Sequence, residues 1–251
     1  MKPFRLTAAV LATSLTLGAG VAVQASSISP TSQFFGDIDA ATTTSVTFGG
    51  SGIPTGRTAY SIFTDDDNNT LLLGLTAHQR FSNPPLADDG AGTFTATPGA
   101  NDGTPGNPGT QSTWNFAWFA EATGQRTLAD WDVKLLFDLD PGKDTPSSEM
   151  GVWDLATTLS FLNFPLDLFQ STQNATFGFL GTDDANIGLT APSFTAFSPF
   201  AAGEYTFALT STGGTVAMNV NVIPLPAAGW LLLGGLGALG AVARRKRRKA
   251  A

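Results

Sequence analysis

The chain has 251 residues with 20 Asp+Glu, 13 Lys+Arg, one histidine and no cysteine, for a formal charge of −7 at pH 7. Without cysteine there are no disulfides, thiol nucleophiles or thiolate metal sites, and a lone histidine cannot build the multi-ligand sites that zinc and copper require. The charge is also unevenly divided. Eight cations lie at the two ends, so residues 26–243 hold all 20 acids against Arg57, Arg80, Arg126, Lys134 and Lys143, a formal −15 that repels nucleic acid and anionic surfaces.

In chain order, Lys2 and Arg5 precede an apolar stretch from Leu6 to Val23, and Val23-Gln24-Ala25 follows as a small-x-small pattern. This is the layout of a secretory signal peptide, residues 1–25, cut by signal peptidase after Ala25. Thr13, Ser14 and Thr16 make the stretch too polar for a stable membrane span.

Residues 26–222 predict one domain of 197 residues, large enough for a substantial core. Hydrophobic periodicity and recurring turn signals predict strands at 43–48, 58–64, 70–76, 92–97, 113–119, 132–139 and 174–180. The clearest local signal is the pair 204–210 and 215–222 around Ser211-Thr212-Gly213-Gly214, which reads as a β-hairpin. Residues 87–110, with six glycines and three prolines, read as a long mobile connection holding one short strand. Residues 151–169 read as a mixed region broken at Pro165. No middle segment shows a convincing helical stripe, so the expected fold is all-β, an antiparallel β-sandwich.

Carboxylates are the abundant functional group. Asp138, Asp140 and Asp144 lie at alternate positions around Pro141-Gly142, a spacing that suits hard oxygen ligation of calcium and equally an ordinary acidic turn. The EF-hand pattern is not met, because Gly142 takes the third ligand place. Calcium is the one cofactor the residues suggest. Asp130 and Asp132 flank Trp131, the nearest approach to a paired-acid hydrolase. His78 has no Gly-x-Ser-x-Gly elbow to serve. By parity Trp114, Phe116 and Trp118 share one strand face, which reads as core. The competing reading makes Trp114, Trp118, Trp131 and Trp153 a stacking platform for polysaccharide.

The chain closes on Ile223-Pro224-Leu225-Pro226-Ala227, an uncharged run over 227–243, and Arg244-Arg245-Lys246-Arg247-Arg248-Lys249. The run spans roughly 25 Å as a helix, the low end for a transmembrane helix, and the basic tail orients it with the tail in the cytoplasm. Motif, span and tail together (223–251) resemble PEP-CTERM sorting signals, in their VPLPA variant, with Ile223 in the usual valine position. The resemblance implies export across the inner membrane of a Gram-negative bacterium and transient anchoring there. It implies processing by an exosortase and delivery to the cell surface or matrix, in hosts that commonly make exopolysaccharide. A weaker likeness, carried by Thr113–Trp118, Leu135–Pro141, Thr172–Asn174 and Ala202–Phe207, is to ectodomains that bear this signal and have no assigned activity. The expectation is therefore an exosortase-sorted surface or matrix protein without evident catalytic activity, linked to exopolysaccharide or biofilm. Its partners are signal peptidase, exosortase, the membrane and extracellular polysaccharide. The alternatives are a carbohydrate-binding module and, last, a secreted hydrolase using paired carboxylates.

Overall fold

The structure, a computed structural model, describes residues 28–81, 85–103 and 109–224. Its strands in chain order are β1 (Phe34–Gly36), β2 (Thr58–Thr64), β3 (Thr70–Gln79), β4 (Ala87–Asp88), β5 (Thr93–Ala96), β6 (Trp114–Thr123), β7 (Lys134–Phe137) and β8 (Gly151–Asp154). After helix α1 (Leu155–Leu162) come β9 (Leu168–Gln173), β10 (Leu189–Thr190), β11 (Gly203–Thr210) and β12 (Thr215–Val222). They form a five-stranded sheet, β1-β2-β3-β6-β9, and a seven-stranded sheet, β10-β8-β7-β11-β12-β5-β4. Among the described strands every pairing is antiparallel except β5 with β12, which run parallel. The chain is thus an all-β, sandwich-like protein with two antiparallel-rich sheets.

Between the sheets lies the main core. β6 sends Trp114, Phe116 and Trp118 into it, β11 sends Tyr205, Phe207 and Leu209, and all six are at most 1% exposed. The Phe116 and Phe207 rings stack at 4.3 Å across the interface. A second cluster covers the other face of the five-stranded sheet. There Ile38, Val46, Phe48 and Ile53, from the segment between β1 and β2, pack on Leu72, Ala117 and Phe119. This double burial explains why β3 and β6 read as nearly continuous apolar runs rather than as alternation. Gly74 belongs to the arrangement, since a Cβ there would sit 2.3 Å from Ile38 Cδ1.

Two predicted strands are absent, for the same kind of reason. Over 43–48 the backbone does not join a ladder; the Gln170 side chain on β9 reaches across to it. Its Oε1 accepts from the N–H of Thr47 (2.7 Å) and of Phe48 (2.8 Å), and its Nε2 donates to Ser45 O. Over 174–180 the fully buried Asn174 caps its neighbours with its own amide. Ser112 N and Thr176 N donate to its Oδ1, its Nδ2 donates to the carbonyls of Ser112 and Trp114, and a 3-10 turn follows at Gly178–Gly181. Side-chain bonds have displaced ladder bonds in both places.

The region 87–110 is less irregular than its composition suggests. β4 and β5 belong to the seven-stranded sheet, and Ala100 bridges Ser112; residues 104–108 lie outside the described part. The mixed region resolves into β8, α1 and β9. α1 begins where the Asp154 carboxylate accepts Thr157 N–H at 2.9 Å and ends at Asn163 with φ 56°, ahead of Pro165.

The registers define two poles. β12 ends at Val222 opposite Gly203 and Ala96, and Trp114 at the start of β6 lies 5.7 Å from Tyr205, so these strand ends share one pole. At the other pole Thr31 N donates to Thr215 O at the start of β12, and Phe63 lies close to Gly213 and Gly214 of the hairpin turn. The described chain comes in at one pole and leaves at the other.

Candidate functional site

The far pole, opposite the exit, holds a cleft of about 570 Å³ between the N-terminal segment, the end of β2, the loop after β6 and the β11–β12 turn. Arg126 lines it. The guanidinium carbon lies 4.0 Å from the centroid of the Trp131 ring, Nη1 is 3.4 Å from Asp65 Oδ2, and Nη2 donates to the Asp130 carbonyl. Asp65 is held from behind, its Oδ1 accepting the N–H of Asp67 (3.0 Å) and Asn69 (2.9 Å) while the Asn69 side-chain amide donates to both oxygens. These bonds, with the Asn69 amide foremost, lower the Asp65 carboxyl pKa and keep it ionised. Thr31, Ser32, Thr64 and Thr212 line the cleft as well. Four separate segments contribute, so no local pattern announces it. The one sequence signal is that Arg126 is among only five cations in residues 26–243.

The acidic turn at the exit pole does not gather its carboxylates. Asp138 Oδ1 accepts Asp140 N–H at 2.8 Å and Asp140 Oδ1 accepts Gly142 N–H at 2.8 Å, so each folds the backbone two residues on, while Asp144 is exposed with φ 55°. Among the described residues no group of three or more His, Asp or Glu side chains is placed to hold a metal ion. In place of the calcium cradle expected of Asp138, Asp140 and Asp144, the fold has a pair of side-chain-capped turns at Asp138 and Asp140. Calcium titrated into the protein is expected to leave its melting midpoint unchanged. A rise that grows with calcium concentration would restore the ligand reading.

Asp138 is nonetheless unusual, at 2% exposed with Oδ2 buried and unpartnered. Burial pushes its carboxyl up to about 6, against the opposing Asp140 N–H and the Thr145 side chain and with some help from the Asp140 charge.

The other sequence candidates are in structural roles. Asp130 accepts from both the N–H and the hydroxyl of Thr127, and Asp132 pairs with Lys134 at 2.7 Å. His78 is 3% exposed inside β3. The Gln79 carbonyl can only accept, so Nδ1 (3.0 Å) carries the proton and Nε2 takes the Thr172 hydroxyl at 2.9 Å. Burial depresses its pKa, keeping the ring neutral.

Trp114, Trp118, Trp131 and Trp153 are each at most 4% exposed, so none offers a surface for stacking. Ile223 and Pro224 of the sorting motif are exposed just beyond β12. Leu225, Pro226, Ala227, the 227–243 run, the tail 244–249 and Ala25 lie outside the described residues. Among the described residues no helix is long and apolar enough to cross a membrane.

Fold and cleft together define an all-β, two-sheet protein with a cleft at one pole that holds an Arg–Asp pair. No protein-family model, curated protein or solved structure matches the chain.

Proposed function

We propose that this is an exported protein, anchored briefly by its C-terminal segment and then released to the cell surface or matrix by an exosortase-type protease. The carrying observation is the order Ile223-Pro224-Leu225-Pro226-Ala227, uncharged run 227–243, six consecutive cations. Such a run suits a bilayer, and its basic flank stays on the cytoplasmic side.

The place where the body stops supports the reading. β12 closes at Val222, and only residues 223–226 separate it from the uncharged run, a reach of roughly 14 Å fully extended. Two prolines in that stretch favour an extended backbone, the form a protease grips. The −15 body and the signal-like N-terminus fit the same direction of travel.

The test is the mass of the mature protein from hosts with and without the exosortase. The wild-type surface fraction is expected to lack everything after about residue 226 and everything before about residue 26. An intact 227–243 run in that fraction would sink the proposal.

A further inference from the structure

We infer that the cleft lined by the Arg126–Asp65 pair is a binding site for one neutral, vicinally hydroxylated sugar ring. Its volume of about 570 Å³ lies within the roughly 300–1,000 Å³ of small-molecule sites. The chemistry of its lining narrows the ligand class. A guanidinium has only donors and a carboxylate only acceptors, so the two side by side suit neighbouring hydroxyls, each of which both donates and accepts. Arg126 Nη1 and Asp65 Oδ2, 3.4 Å apart, supply that pair, and Thr64, Thr212 and Ser32 line the same cleft.

The pair is also set in advance. Arg126 is fixed by Trp131 beneath it and by the Asp130 carbonyl, and Asp65 by Asn69 and the turn at 65–69. A ligand that meets a fixed fork loses little further side-chain freedom. Both groups keep a foot in water, with side-chain exposures of 30% for Arg126 and 21% for Asp65, so a solute can reach them.

Charge selects against anions. The positive and negative groups of the cleft cancel, and the surrounding body at −15 repels polyanions and uronic acids. Aromatic stacking is not the mode, because the Trp131 face is covered by Arg126 and the ring is 3% exposed. Recognition rests on hydrogen bonds, which demands a ligand with paired hydroxyls rather than a flat apolar one.

The ion pair also staples the loop after β6 to the turn after β2, and that role alone needs no ligand. The test must separate the two. Saturation-transfer NMR on the full-length chain in detergent, with methyl β-glucoside, methyl α-mannoside and glucuronate as probes, is expected to give saturable transfer from at least one neutral pyranoside and less from glucuronate. Arg126→Lys keeps the charge and loses the fork, and is expected to weaken binding about tenfold. Thr64→Val, at an exposed residue of β2 that lines the cleft, is expected to weaken binding with an unchanged melting midpoint, a result a purely structural staple would not give. No saturable transfer from either neutral sugar, glucuronate binding most tightly, or full binding by both variants would each overturn the assignment. The measurement is made in solution and does not depend on where the chain is delivered, so its failure leaves the sorting proposal standing.

Discussion

Trp118→Ala is expected to cost about 3–5 kcal/mol and to lower the melting midpoint by roughly 10 °C. The indole is fully buried in the middle of β6. It meets the rings of Phe116 at 6.1 Å, Phe169 at 5.7 Å and, from the opposite sheet, Trp153 at 5.2 Å. Removing it opens a void against three rings on two sheets that cannot collapse together. Its Nε1 is buried without a partner, so the stabilisation comes from ring packing and not from the N–H. Trp118→Phe is therefore expected to recover most of the loss. Thermal melting of the two variants decides, and a Phe variant no better than Ala would contradict the packing account.

Asp138→Asn is expected to act in the opposite direction and raise stability at pH 7 by about 2–3 kcal/mol. The folded carboxyl titrates at about 6 against 3.8 for the free group, because burial disfavours its charge. Between those values the folded chain holds a proton that the unfolded chain has released. Stability from this group is therefore complete below about pH 4, falls as pH rises through 6 and stays low above it. Asparagine keeps an oxygen for Asp140 N–H and replaces the unpartnered Oδ2 with a neutral amide. The variant's melting curve should lose the pH 4–6 slope while matching the wild type at the acid end. An unchanged slope would show that Asp138 is not its source.

Much of the framework was legible from the chain because one rule, alternation with a turn between, governs it. β2 spans the residues its alternation predicts, and the 204–222 hairpin folds around the expected turn because its strands pair residue by residue, with Tyr205 opposite Val220 and Phe207 opposite Met218. Parity also placed Trp114, Phe116 and Trp118 on a core face. The rule fails where a side chain takes over the work of a ladder. Thr43–Phe48 alternates as a strand would, yet its partner is the Gln170 amide, and no local pattern names a residue more than 120 positions away. Asn174 similarly turns an apolar run into capped turns.

The eight-residue helix α1 was too short for its stripe to stand out within a mixed stretch. The alternate aspartates at 138–144 illustrate a competing use of the same spacing, since a carboxylate two residues from a free N–H closes a turn as readily as it binds an ion. The cleft was invisible because its parts meet only through tertiary structure; only the scarcity of cations pointed toward Arg126.

The separation of the chain's two crossing points has a mechanical consequence. Tension applied through residues 28 and 224 runs along the strands rather than across them. β12 then has to slide past β11, with eight residues in register, and past β5, with four, so its hydrogen bonds share the load at once instead of opening one by one like a zip. A body loaded this way transmits pull from one pole to the other without peeling its last strand.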